Sequence, residues 1–550
     1  MQRLQIGCLI QIAVLQWLTG CVSKSDEDGS NLPADLSAYE RGTDDTATVP
    51  EEPVGPILDT TRGAISVDNL EYAVFPGLVG VPNLDDDDEN GEADWVQGGA
   101  AEGDNDYALA TLNTLGHELE LELNGSGIRV YQLDTLVLGD EAGNSLTVTE
   151  GSDALSLRFE FSDFLVQGAL VVRDVDLGIE FEVALTASPL IFNHHLQASE
   201  EVMAMDYNYW GTNNADFIGG FQASLGDQFF TLDDDKYEGD VWVQDEIEFA
   251  YATSPDAHLD VIFDSLRNRG LDDFPEDEYA GPDWLIMDFG GNESAVNTYD
   301  SLGNLEVSPP VTVDGVHYPY GRLYYGAVPG SRYYEPLSET QDALEAFKIQ
   351  KPFTPDTSWL CVGHIDEYTT TIPDPAAPKG FRFVISDTRS AWALLDSMDP
   401  AMELPRYSGG GYAGHGLRNV RAIVDSTPLR LLNAEIQETL DGQEALFRKE
   451  LGLDDEDIIY MPSLFEEVVG CGGTVAALIP GMVNLTVTTV DDTPTLFLAD
   501  PFLRSNPADQ SSDQMIAEVV SRFPESVDMV FLDDWYAYHM MLGEVHCGSN

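Results

Sequence analysis

The stretch "HELELELNG" sets Leu119, Leu121 and Leu123 against Glu118, Glu120 and Glu122. A side-chain period of two places all three leucines on one face of a strand, whereas a helix would scatter them around its axis. "LSLRFEF" repeats the pattern with Leu155, Leu157, Phe159 and Phe161, and "IEFEVAL" with Ile179, Phe181, Val183 and Leu185. Turns containing Gly and Asn separate such runs. Several half-buried strands in about 120 residues predict an antiparallel, immunoglobulin-like β-sandwich over 61–188.

From 189 to 550 helical and strand patterns mix, so the chain is α+β and multidomain. "SETQDALEAFKIQ" opens with a capping-box pair, Ser338 and Gln341. "TPLRLLNAEIQETLDGQEALFRKELG" predicts a long helix stopped by Gly452. "FRFVISD" and "VDMVFLDD" predict buried strands.

The N-terminal run "MQRLQIGCLIQIAVLQWLTGC" has a short positive start at Arg3 and an apolar stretch, and ends in "LTGC" at 18–21. That is the pattern of a bacterial lipoprotein signal, 1–20, with Cys21 as the lipidated residue. The run is shorter than the ~20 residues a membrane span needs, and it contains Gln5, Gln11 and Gln16. Residues 21–60 are polar and acidic and predict a flexible tether. The expected location is the cell envelope, with the lipid anchor as the membrane contact.

Asp and Glu number 98 against 25 Lys and Arg, a formal charge of −73. Such a surface repels phosphate backbones, which excludes nucleic-acid binding as a working reading, and it favours cations and basic partners. Salt adaptation accounts for most of the excess. Hydrophobic content of 43% separates the chain from disordered acidic sequences. Cys8 leaves with the signal and Cys21 takes lipid. Cys361, Cys471 and Cys547 remain, so at most one pair forms and one thiol is spare.

Four motifs carry candidate chemistry. "VPNLDDDDENGEADW" (81–95) places Asp86, Asp88, Asn90 and Gly91 as an EF-hand loop begins, but Gln97 stands at the twelfth position in place of Glu. A second register, Asn83, Asp85 and Asp87, is equally available, and a solvated acidic loop is the plain alternative. "VWVQDEIEFAY" (241–251) reads as a strand with Val243, Asp245, Ile247 and Phe249 on one face and Gln244, Glu246 and Glu248 on the other. A lone carboxylate among apolar neighbours belongs in a site or an ion pair, whereas an edge strand with an acidic face needs neither. "VGHIDEY" (362–368) sets His364 and Asp366 two apart, which on a strand fits a proton-transfer pair, a metal pair or an ordinary polar turn. Arg267, Asn268 and Arg269 put two guanidinium groups together in an acidic chain, suited to clamping oxygens or to structural ion pairing.

Six fragments in series, "WVQDEIE", "FDSLRNRGL", "SLGNLEVSPPVTV", "WLCVGHIDEY", "PGMVNL" and "GEVHCG", resemble the protein-arginine deiminases. The resemblance implies a middle calcium-binding β domain followed by a pentein catalytic domain, five modules around a pseudo-fivefold axis. It implies hydrolysis of peptidyl arginine to citrulline and ammonia, with several Ca2+ ions as cofactors and arginine-containing proteins or peptides as substrates. By position, Cys547 matches the nucleophile, His364 the general acid and base, and Asp245 and Asp366 the guanidinium-binding carboxylates. Trp242 matches the wall along the substrate stem, with Arg267, Arg269 and Val362 as further substrate contacts. One calcium set maps to Gln244, Glu248, Leu302, Leu305 and Glu306, and a second to Glu246, Asp264, Ser265 and Asn268. In the middle domain Asn83, Asp85, Asp87, Asp94 and Asp106 match metal ligands. Met540, Met541 and Leu542 replace a basic stretch of animal relatives. That leaves two other readings: a deiminase of free arginine or another small guanidine, and an inactive calcium-binding surface protein.

Overall fold

The structure, a computed structural model, describes residues 57–59, 77–97, 106–151, 154–209, 212–331, 333–409, 416–490 and 493–550. The signal segment, Cys21 and the tether up to residue 56 lie outside the described residues. Among the described residues no helix is long and apolar enough to cross a membrane.

Ten strands form the first part of the fold. They are β1 (Ile57–Asp59), β2 (Leu78–Gly80), β3 (Ala108–Asn113), β4 (Leu119–Asn124), β5 (Ile128–Gln132), β6 (Thr135–Leu138), β7 (Ser145–Val148), β8 (Leu155–Phe161), β9 (Gln167–Asp174) and β10 (Ile179–Ala187). They make two five-stranded sheets, β1-β3-β8-β5-β6 and β2-β10-β9-β4-β7. The leucines of β4 are buried and its glutamates exposed, as their alternation requires. Leu119, Leu121 and Leu123 share one apolar core with Phe159 and Phe161 of the other sheet. Both inner faces therefore close on each other. The strand β1, which pairs with β3, begins inside the segment read as tether.

The rest of the chain repeats one pairing pattern five times among the described residues: two antiparallel strands, a helix, then a strand parallel to the second. The clearest three copies begin at Ile247–Thr253, Thr369–Pro373 and Thr486–Val490. A fourth begins at Leu305–Val307 and closes through a parallel bridge between Tyr324 and Phe353. In the fifth, the end of the chain supplies the first strand. Ser549 bridges Ala204 antiparallel, and helix Ala215–Leu225 leads to Phe229–Asp233, parallel to Val202–Asp206.

Local elements follow their punctuation in part. Helix Thr427–Leu451 is capped by the Ser426 hydroxyl, which accepts from Leu429 N–H, and ends at Gly452 in the left-handed region. The predicted capping box at Ser338 does not form. Leu337 is the N-cap of Ser338–Phe347, and Gln341 Nε2 donates to the Pro336 carbonyl. Strand Asp528–Leu532, predicted as buried, is an edge strand and only half-buried. Cys361 and Cys471 form a disulfide across 110 residues, a loop closure that contributes about 4–5 kcal/mol in the chain-entropy account.

Phe159 is fully buried where the two sheets meet. Phe159→Ala should destabilise the sandwich by about 3–5 kcal/mol, read as an earlier denaturant midpoint. A loss under about 1 kcal/mol would show that this core is not shared by the two sheets.

Candidate active site

Each of the five repeats is entered through a short turn, and these turns meet. They are Val243–Glu246, a single helical turn, the 3-10 turns Leu302–Asn304, Ile365–Glu367 and His546–Gly548, and the turn at 481–484. The first three pack in series, and His546–Gly548 packs on Val243–Glu246. The chain order therefore delivers Asp245, the pair His364 and Asp366, and Cys547 from three distant stretches to one place. Two local expectations change here. Residues 243–246 and 365–367 are helical turns rather than strand, so Asp245 and its neighbours are fanned out by helical rotation. The alternation of faces begins only at Ile247.

Gly303 sits at the centre. A Cβ there would lie 2.9 Å from Asp245 Oδ1, 3.0 Å from His364 Nδ1 and 3.2 Å from Asp366 Oδ2. His364 is buried, and its Nε2 is 2.7 Å from the Thr298 carbonyl and 3.0 Å from the Thr298 hydroxyl. Nε2 thus carries the proton that the carbonyl accepts, and Nδ1 is the nitrogen left for chemistry. Nδ1 stands 3.4 Å from Asp245 Oδ1, an ion-pair distance without hydrogen-bond alignment.

Cys547 is buried and unpaired. Its Sγ accepts from Asn484 Nδ2 at 3.3 Å and its N–H donates to Asn484 Oδ1 at 3.1 Å, so one amide holds both ends of the residue. Asp366 Oδ2 lies 3.7 Å from the sulfur and 2.9 Å from His546 Nδ1. Burial, then the charges of Asp366 and Asp245, push the thiol well above its usual range. The site holds carboxylates and a thiol, with the Arg267 guanidinium as the nearest counter-charge, 3.6 Å from Asp245.

A cavity of about 420 Å3 opens onto this cluster, lined by Trp242, Asp245, Arg267, Arg269, Val362, His364 and Cys547 among others. Asp366 is not among its lining residues, but its Oδ2 lies beside the sulfur. Arg267 is buried against Asp240, Asp245 and Glu246 at 3.5–3.9 Å. Arg269 is half-exposed and donates to Asp240 at 3.0 Å. The Val362 carbonyl accepts from the Thr298 hydroxyl at 2.9 Å. Gly543 is required beside Trp242, because a Cβ there would meet the indole at 2.1 Å.

The protein-arginine deiminase (PAD) family model matches residues 179–550. The chain belongs to the protein-arginine deiminase family. It is 34% identical to protein-arginine deiminase type-4 of Homo sapiens over 56% of this chain and 46% of that protein. It is 32% identical to the type-4 protein of Rattus norvegicus, over 70% and 56% of the two chains. It is 29% identical to type-1 of Homo sapiens, over 72% and 60%. The chain spans about half the length of the curated relatives it matches.

The expected metal residues of this family member fall into separate groups. Gln244, Glu248, Leu305 and Glu306 line a second cavity of about 700 Å3, which shares no lining residue with the first. Burial raises the Glu248 carboxyl to about 8 and pushes Glu306 well up, and one Glu306 oxygen is buried without a hydrogen bond. Leu302 does not line that cavity, and its carbonyl accepts from Leu305 N–H. Glu246, Asp264 and Ser265 are buried together at the strand start, with Ser265 N–H on the Glu246 carbonyl, while Asn268 is exposed with φ 47°. In the acidic loop, Asp86 accepts from Asn90 and Gly91 N–H, so the EF-hand register folds back on its own backbone. Asn83, Asp85, Asp94 and Asp106 are buried. Asp85 and Asp87 cluster with Asp283 of the C-terminal part, Asp94 clusters with Asp86 and Asp88, and Asp106 joins neither group.

Sequence reasoning missed Thr298, Gly303, Asn484 and Asp283. Asn484 lies inside "PGMVNL", a fragment that carried the resemblance without a role. The carboxylates hold the Cys547 thiol up, so removing one should let it ionise at lower pH. In chelator, the pH profile of iodoacetamide labelling at Cys547 should have its midpoint above the ordinary ~8.5. Asp366→Asn should move it down by about 1 unit. An ordinary midpoint that Asp366→Asn leaves in place contradicts this electrostatic reading.

Proposed function

We propose that this chain is a calcium-dependent protein-arginine deiminase that converts peptidyl arginine to peptidyl citrulline and ammonia. The observation that carries the reading is the convergence of Cys547, His364 and Asp245 on one cavity, with Asp366 beside the sulfur and meeting Asp245 and His364 at Gly303. On this reading the five repeats form a pentein, and the preceding sheets are the family's immunoglobulin-like calcium-binding domain.

The guanidinium of the substrate is planar and cationic. Asp245 and Asp366 accept its N–H groups and fix the central carbon near sulfur. Its charge also offsets the two carboxylates that hold the thiol protonated, so substrate binding favours the thiolate. The thiol proton passes to His364 Nδ1 as Sγ bonds to the central carbon. His364 Nδ1 gives a proton to the departing nitrogen, the C–N bond breaks, and ammonia leaves a cysteine thiouronium. The same Nδ1 then takes a proton from water, the water oxygen bonds to carbon, and the C–S bond breaks to give citrulline. Trp242 flanks the aliphatic stem. Arg269, half-exposed at the cavity, favours a substrate with a backbone carbonyl over free arginine.

Calcium fits the oxygen sets around Gln244, Glu248 and Glu306 and around Glu246, Asp264 and Ser265, hard donors of the kind the ion takes. When bound, it would supply the positive charge these buried carboxylates share. Gln244 and Glu246 flank Asp245 on one helical turn, so ligation on both sides would fix the substrate anchor. The 18–21 processing site supports attachment through Cys21 to the cell envelope.

With calcium, the protein should form citrulline on a benzoyl-arginine peptide faster than on free arginine, with activity in excess chelator below about 1% of that. Cys547→Ser should lower kcat by about 10^3-fold or more. Full activity in chelator, or an active serine variant, contradicts the proposal.

A further inference from the structure

The 700 Å3 cavity holds a cluster whose two histidines have no role in the deimination proposed above: His195, Glu306 and His546, each offering a ligand atom within 4.8 Å of the others. The two rings face each other edge to face, with centroids 6.3 Å apart. Each ring has its Nδ1 occupied. His195 Nδ1 is 2.8 Å from the Thr371 carbonyl, and His546 Nδ1 is 2.9 Å from Asp366 Oδ2. An Nδ1–H held by an oxygen fixes the tautomer that leaves an Nε2 lone pair for a metal, the outer-shell arrangement of imidazole metal sites. One Glu306 oxygen is buried and has no hydrogen bond. The backbone of Thr371 and the carboxylate of Asp366 come from the same repeat, so the two orienting oxygens are fixed relative to each other.

We propose that His195, His546 and Glu306 form a binding site for a borderline transition-metal ion of the Zn2+ class. Two imidazoles and a carboxylate, with the cavity open to a water ligand, match the donor set that Zn2+ takes, whereas Ca2+ and Mg2+ take oxygen sets. A tetrahedral ion at about 2.0–2.2 Å from its donors holds them about 3.3–3.6 Å apart, so inward rotations of the three side chains close the site. Glu306 is also part of the calcium set proposed above. On that reading the two ions compete for one carboxylate, and zinc draws Glu306 and the His546–Asp366 pair away from the calcium-bound arrangement.

Equilibrium dialysis of the full chain against Zn2+ alone, in calcium-free buffer, should find one ion whose affinity falls at least ~10-fold in His195→Gln. Co2+ at the same site should give the visible bands of a nitrogen-ligated ion in wild type and lose them in His195→Gln. A melting curve unchanged by the substitution separates ligand loss from misfolding, and Glu306→Asp should restore part of the binding that Glu306→Gln loses. Binding equal in wild type and His195→Gln overturns the site. Zn2+ should also raise the calcium concentration that half-activates deimination in wild type but not in His195→Gln. Histidine-dependent zinc binding without that competition leaves the site standing and removes Glu306 from the calcium set.

Discussion

Buried like charges are the constraint on which this structure turns. Asp245 and Asp366 stand close enough to Gly303 that a single added methyl would touch both, and Glu246 and Glu306 are buried in or beside the same turns, with Glu248 half-buried next to them. Carboxylates out of water repel one another and are costly unless paired. Arg267, packed against three of the site's acids, is the main resident counter-charge. The proposed function answers that deficit with a planar cation in the cavity on one side and metal ions in the oxygen clusters on the other.

The fold makes the deficit through repetition. Five similar units each begin with a short turn, and the turns are packed edge to edge. One unit takes its first strand from the last residues of the chain, through the paired amides and carbonyls of Met203 and Asn550. The placement of Cys547 therefore depends on strand pairing far from it in sequence. Asn484, from another entry turn, then fixes the cysteine at both backbone and sulfur. Catalytic geometry and closure of the repeat are the same contacts.

How much of this could be read in advance follows from the range of the interactions. The alternating leucines of 119–124 and the long helix ending at Gly452 are set by local periodicity and a local stop, and both form where expected. The entry turns escaped local reading. Four residues of helix at 243–246 leave no periodic trace, and an alternating acid pattern runs straight through into the strand that follows. The site residues themselves were legible only through the order of six fragments, which located Cys547, His364, Asp245 and Asp366. Thr298 lies outside those fragments and Gly303 inside one without a role, because what each does is defined by how close other turns come. The same holds for His195, whose ring meets His546 across 351 positions of chain, and for Asp283, which joins the acidic loop from far along the chain.

The central claim is that the buried thiol is poised for a guanidinium carbon. The direct measurement is a single-turnover reaction of the full chain with an arginine peptide in calcium, quenched in acid and mapped by mass spectrometry. The account predicts an adduct on Cys547 with the mass of the peptide less ammonia, appearing before citrulline and decaying as citrulline forms. Citrulline formed at the same rate with Cys547 unmodified throughout would contradict it.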